Sequence, residues 1–164
     1  MEFLEFIAKL APEGETPLIV RQKPKLKDGQ YDYHADGALK CTWPAMLPTA
    51  RIKDDWAVYG NTASFIIDRF VDGHPSASAA NCEYVLVMVL DDVGTDKAPN
   101  VPNLEPTWVM ETSEGSFQWG YAFSEQPTKA QFTAAIKAIA DAGYTDPGAI
   151  NAVRNFRIPG SVNL

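Results

Sequence analysis

The sequence predicts an α+β fold with a largely antiparallel sheet. Three features carry this reading: an unbroken apolar run at 84–90, two β-prone segments joined by a small-residue turn at 107–123, and a well-punctuated amphipathic helix at 127–143. Strands and helices are mixed along the chain, a hairpin sits in the middle, and no internal repeat is visible. That order fits α+β rather than alternating β-α units.

The elements follow in chain order. EFLEFIAKL (2–10) spaces Phe3, Leu4, Ile7 and Leu10 as one helical face, and Pro12 and Gly14 end it. TPLIVRQ (16–22) reads as a strand of about five residues. The stretch 23–50 is rich in Pro, Gly and Lys and is expected to be a long ordered loop. WAVYGNTASFIID (56–68) holds two β-prone runs around Gly60-Asn61, a turn signal. It is either a hairpin or a strand leading into a helical turn. GHPSASAANC (73–82) is small and polar, a surface loop or a cap. The apolar run 84–90 is a buried strand, and KAPNVPNLEP (97–106), with three prolines, is a loop. TWVMETS (107–113) and FQWGYAF (117–123) form a hairpin over a tight turn. In the helix at 127–143, Thr128 serves as N-cap, Phe132, Ile136 and Ile139 line one face, and Gly143 takes the C′ position. A turn at Asp146-Pro147-Gly148, a short helical piece and RIPG close the chain.

Length and composition bound the function. At 164 residues, 46% of them hydrophobic, the chain is one domain (1–164) able to bury a core. No apolar stretch approaches the roughly 20 residues that span a bilayer. The acidic N-terminus is not a secretory signal, so the expected location is the cytoplasm and no membrane partner is expected. Cys41 and Cys82 have no metal-ligand spacing and read as reduced thiols, and His34 and His74 are too few for a His-based zinc site. The net charge of −7 argues against a high-affinity, non-specific duplex binder. The basic residues are uneven, with Arg21, Lys23, Lys25 and Lys27 in one short run and Arg154 and Arg157 in an acid-free C-terminal stretch.

Three constellations bear on chemistry. The apolar strand ends in Asp91-Asp92, with Gly94 just beyond. Adjacent carboxylates repel unless a cation neutralises them, and Mg²⁺ or Mn²⁺ binds through one or two carboxylates plus substrate phosphates. On a regular strand, however, neighbouring side chains point to opposite faces. Both aspartates reach one ion only where the backbone turns, and Asp is also an ordinary turn residue. The second constellation is ETSEGSFQWGY (111–121). There Ser113, Ser116 and the Gly115 backbone either present donors to a phosphate or simply make a small-residue turn. The third is YTDPGAINAVRNFRIPGSVN (144–163), with Asp146 before one Pro-Gly and Arg157 shortly before another.

Taken together and in this order, VLDDVG, ETSEGSFQWGY and TDPGAINAVRNFRIPGSVN resemble the archaeo-eukaryotic primase superfamily, nearest its RepB-like primases of plasmids and phages. The resemblance covers about residues 82–163, half the chain, and PEGETPLIVRQKP also looks like the start of phage-borne members. It implies an RRM-like primase-polymerase core, a mostly antiparallel sheet flanked by helices. Asp91 and Asp92 match the family's metal-binding pair, and Asp146 its third catalytic carboxylate. Ser116 and Gln118 stand where the wider superfamily has a Ser-x-His that contacts the incoming nucleotide. Arg157 and Asn163 match the closing motif near the nucleotide phosphates. Glu114 stands where the family usually has Pro, and Ser116 where it often has Asn.

The implied activity is two-metal nucleotidyl transfer on single-stranded DNA with nucleotide triphosphates and Mg²⁺ or Mn²⁺, for phage or plasmid replication. Arg21, Lys23, Lys25 and Arg154 would contact the template backbone, a salt-sensitive, sequence-tolerant interaction. Trp119 or Trp43 would either stack a base or fill the core. The chain stops where the family's closing lysine would come next. The resemblance therefore implies a piece of a longer primase, with a helical accessory domain or a helicase downstream. Two rivals stand beside it: a non-catalytic nucleotide or single-strand binding module, and a metal-dependent nuclease. The catalytic reading requires Asp91, Asp92 and Asp146 to converge on one open cleft with Arg157 at its rim.

Overall fold

The computed structural model describes residues 2–12, 15–16, 19–21, 41–42, 57–66, 70–71 and 74–161. Helix α1 spans Glu2–Leu10. Seven short strands follow: β1 (Glu15–Thr16), β2 (Ile19–Arg21), β3 (Cys41–Thr42), β4 (Val58–Asn61), β5 (Ala63–Ile66), β6 (Phe70–Val71) and β7 (His74–Pro75). Then come β8 (Cys82–Val85), β9 (Val87–Val93), β10 (Trp108–Ser113), β11 (Ser116–Ala122), helix α2 (Lys129–Asp141), a 3-10 turn at Pro147–Ala149, and β12 (Asn155–Arg157). Among the described residues every pairing between these strands is antiparallel, in sheets ordered β10-β11-β9, β12-β4-β2-β3, β1-β5-β8 and β6-β7. The α+β class with a mostly antiparallel sheet and flanking helices is the class read from the sequence.

The unbroken apolar character of β9 has a direct cause. Successive residues point to opposite faces, and both faces are covered. Val87 and Val89 pack with Ile7 of α1 and Phe156 of β12. Met88 and Leu90 pack with Phe132 and Ile136 of α2. A strand buried on both sides has no polar face to show. Helix α2 begins and ends as its sequence dictates. Thr128 and Gln131 form a reciprocal capping box, and Gly143 takes φ +76° just past the last turn.

The structure corrects three boundaries. Gly60-Asn61 is not a hairpin turn, because β4 and β5 belong to different sheets. The Asn61 side chain makes the crossing instead. Its Oδ1 accepts from Ala63 N–H (2.9 Å), and its Nδ2 donates to Val153 O (2.8 Å) and Asn155 Oδ1 (3.2 Å). Such Asx turns are what make Asn a turn residue, and here one redirects a strand without reversing it. The apolar run is likewise two strands, β8 and β9, broken at Leu86, and the second continues through both aspartates to Val93. Strand 16–22 resolves into β1 and β2. Most of the 23–50 stretch, with Lys23, Lys25, His34 and Trp43, lies outside the described residues, as does Asn163. Trp119 packs against the α2-side core, and the Cys82 thiol is buried.

One close approach holds the α1 face of the sheet. Trp108 on β10 lies directly across from Gly120 on β11, and its indole covers the glycine. A Cβ at Gly120 would come within 2.1 Å of the ring. Phe3 and Phe6 of α1 meet the same ring edge-on, with centroids 5.0 and 6.4 Å away. The glycine is therefore the slot into which α1 docks through tryptophan. Gly120→Ala overpacks this site and is expected to cost about 2 kcal/mol or more, read as a lowered midpoint in urea denaturation. An unchanged midpoint would place the ring elsewhere.

Candidate active site

The two aspartates share one face because β9 carries a bulge. Val93 pairs with Phe117 and Leu90 with Trp119, so Asp91 and Asp92 together oppose the single residue Gln118. The extra residue is absorbed at Asp92, whose φ is +56°. That left-handed conformation is unusual for a residue with a Cβ, and Asp and Asn tolerate it best. The site was expected where the strand ends and Gly94 eases a turn. The backbone change comes earlier, inside the strand, at the second aspartate itself.

Alternate residues of β11 then reach both carboxylates. Gln118 Nε2 donates to Asp91 Oδ1 (3.1 Å), and the Ser116 hydroxyl donates to Asp92 Oδ1 (2.8 Å). Both donors are buried. Asp146 arrives from a distant segment that docks on the free edge of β9. Its N–H donates to Asp91 O (3.0 Å), and the neighbouring Thr145 hydroxyl accepts from Asp91 N–H (2.8 Å). The Asp146 Oδ1 accepts from Gly148 N–H (2.8 Å), which caps the 3-10 turn.

A common pattern results. In each of the three carboxylates Oδ1 is tied down by a protein donor, while Oδ2 faces a cation. Asp91 Oδ2 lies 3.4 Å from Arg154 Nη2. Asp92 and Asp146 Oδ2 lie 2.7 and 3.5 Å from the ammonium of Lys97. Arg154 is braced by a hydrogen bond from its Nη1 to Gly148 O. The Arg157 guanidinium lies over the Tyr59 ring, 5.7 Å from its centroid. A cleft of about 230 Å³ opens along Asp91, Asp92, Ser113, Gln118, Arg154 and Arg157. A larger cavity of about 640 Å³ lies on the α2 side against Met88 and Leu90; it is apolar and holds none of the three aspartates.

Of the residues singled out in the sequence, Asp91, Asp92, Ser113, Gln118, Arg154 and Arg157 line this cleft, whereas Ser116 and Asp146 lie beside it, bonded to Asp92 and to the Asp91 backbone, and do not line it. Arg154, assigned there to a template contact, stands inside the cleft against Asp91. Ser116 belongs to β11 rather than to the turn, and its hydroxyl is spent on Asp92. Arg21 lies on β2, and its side chain, with Lys23, Lys25 and Asn163, is outside the described residues. Sequence reading missed Lys97 and Thr145. Lys97 carried a signal, as a cation six residues beyond the first aspartate on a Pro-bounded loop. Thr145 carried none beyond preceding Asp-Pro.

This fold has a counterpart among solved structures. The chain is similar to the AEP domain of the primase-polymerase (PrimPol) of cyanophage S-2L, with a TM-score of 0.58 over 94% of this chain and 78% of that one. Identity is 16%, so the likeness is one of fold. No family model matches the chain, and no curated protein does. No helix among the described residues is long and apolar enough to cross a membrane.

Burial pushes the Asp92 pKa up, but the hydrogen bonds from Lys97 and Ser116, with the charges of Lys97 and Arg154, outweigh it. The net value lies below the ordinary carboxylate one. A depressed folded-state pKa contributes stability above the ordinary Asp range and loses it as pH falls through the folded value. Ser116→Ala removes one of these donors. It is expected to cost about 1 kcal/mol at neutral pH, with the difference from wild type shrinking as Asp92 protonates. Urea denaturation of both proteins from pH 7 downward checks this, and a difference independent of pH would deny the link to Asp92.

Proposed function

We propose that this chain is a catalytic primase-polymerase domain of the RepB-like type, joining nucleotides by metal-dependent transfer on single-stranded DNA in phage or plasmid replication. The observation that carries the reading is the set of three carboxylates with Oδ1 anchored and Oδ2 turned to positive charge. The fold, similar to a primase-polymerase domain, supports it.

The donor set fits Mg²⁺ or Mn²⁺. Asp91, Asp92 and Asp146 offer only hard oxygen atoms, and Mg²⁺ is usually held by one or two carboxylates plus substrate phosphates. Among the described residues no group of three or more His, Cys, Asp or Glu side chains is close enough to form a cage of its own. Such a site would take its remaining ligands from a triphosphate and water. Bound there, the ions would stabilise the attacking and leaving oxygens of an in-line displacement at an α-phosphate.

The protein's own residues supply orientation and charge. Gln118 and Ser116 fix the rotation of Asp91 and Asp92, so that no side-chain search is left for the moment of binding. Arg154 and Arg157 give the cleft positive charge opposite the acids, suited to the β- and γ-phosphates. Arg154, in this reading, serves the triphosphate rather than the template. Ser113 and Asn163 are further nucleotide contacts, and Arg21, Lys23 and Lys25 take the template backbone. A helicase or helical accessory domain would act with this one in a longer chain.

The test is nucleotide incorporation on single-stranded DNA with Mn²⁺ or Mg²⁺, with and without an annealed primer. Wild type is expected to extend the primer, and Asp91→Asn/Asp92→Asn to lose at least about 100-fold. Nucleotide binding without incorporation would favour the non-catalytic module. Shortened strands in place of extended ones would favour the nuclease.

A further inference from the structure

The proposed reaction gives no role to Lys97. Its ammonium nevertheless faces two carboxylates delivered by separate parts of the chain, Asp92 on β9 and Asp146 before the 3-10 turn. It meets each of them at Oδ2, the atom left over once Ser116 and Gly148 have taken Oδ1.

The loop that carries Lys97 is tied down in its backbone and exposed in its side chain. Thr95 donates to Asp92 O twice, from its hydroxyl at 2.7 Å and its N–H at 3.1 Å. Lys97 N–H donates to Thr95 Oγ1 at 3.2 Å, and Gly94 N–H to Ala98 O at 3.0 Å. Ala98 is wholly buried, and a bridge joins it to Val93. The Lys97 side chain, by contrast, is 63% exposed. The backbone thus holds residue 97 beside Asp92, while most of its stem is already in water.

An ammonium and a divalent ion cannot both take the same two oxygens, since they compete for the ligands and repel each other at contact distance. We infer that Lys97 is a built-in counter-cation of the Asp92–Asp146 pair. It neutralises the two carboxylates before a metal arrives, competes with the divalent ion for their Oδ2 atoms, and leaves when the ion binds. This rests on the metal-dependent reading above. It makes Lys97 a residue that sets metal affinity, which removal of its charge would raise.

The experiment measures Mn²⁺ binding to the full chain without nucleotide, from the electron paramagnetic resonance signal of the free ion. Lys97→Met is expected to bind Mn²⁺ about tenfold tighter than wild type. Lys97→Arg, which keeps the charge, is expected to bind no tighter than wild type, and Lys97→Met/Asp92→Asn to lose the gain. Equal affinity of Lys97→Met and wild type, with binding still lost in Asp91→Asn/Asp92→Asn, overturns the counter-cation role and leaves the metal-dependent reading standing. Absence of any carboxylate-dependent Mn²⁺ binding in all the variants overturns the counter-cation role, and loss of metal-dependent primer extension is what would overturn the reading beneath it.

Discussion

The site depends on one extra residue in one strand. Without the bulge, Asp91 and Asp92 would fall on opposite faces of β9, one toward α1 and the other into the apolar layer under α2. A buried, unpaired carboxylate in that layer would be untenable. The bulge removes the conflict by turning the backbone at Asp92 into the left-handed region. Gln118, the residue opposite, and Ser116, two positions earlier on the same face, then each find one carboxylate. The double cover of β9 follows from the same arrangement. Both faces remain apolar up to Leu90, and polarity begins only where the register shifts.

Electrostatics complete what the backbone begins. A chain of net charge −7 gathers three carboxylates into one place and must offset their repulsion. It does so by division of labour. Neutral donors hold the Oδ1 atoms, and cations on longer stems meet the Oδ2 atoms. Of the neutral anchors Ser116 and Gln118 are buried and Gly148 is exposed, while the Lys97 side chain is 63% and that of Arg154 34% exposed.

Much of this was legible in the sequence, and the reasons differ from element to element. The helix at Lys129–Asp141 was readable because its cap, its apolar face and its terminal glycine all agree locally. The hairpin of β10 and β11 was readable because Glu114-Gly115 separates two β-prone runs. Gly60-Asn61 misled because the local turn signal is real but serves a strand crossing, which depends on Val153 and Asn155 far along the chain. The bulge was not legible at all. Nothing in VLDDVG distinguishes a strand that ends at Leu90 from one that runs on with an extra residue, since the difference lies in the register against β11. Thr145 was hidden for the same reason, because its partner is set by docking and not by spacing.

The docking of Thr145 and Asp146 on the edge of β9 also orders events in time. The Asp91 amide finds its partner 54 residues later in the chain, with a hairpin and a helix made in between. Contacts of such sequence separation form late, after local elements have condensed. A chain emerging from the ribosome exposes its two adjacent acids well before the segment that seals that edge. During that interval the strand edge stays open and the acids stay two. Completion of the three-carboxylate set therefore depends on a long-range contact and not on either aspartate's local sequence.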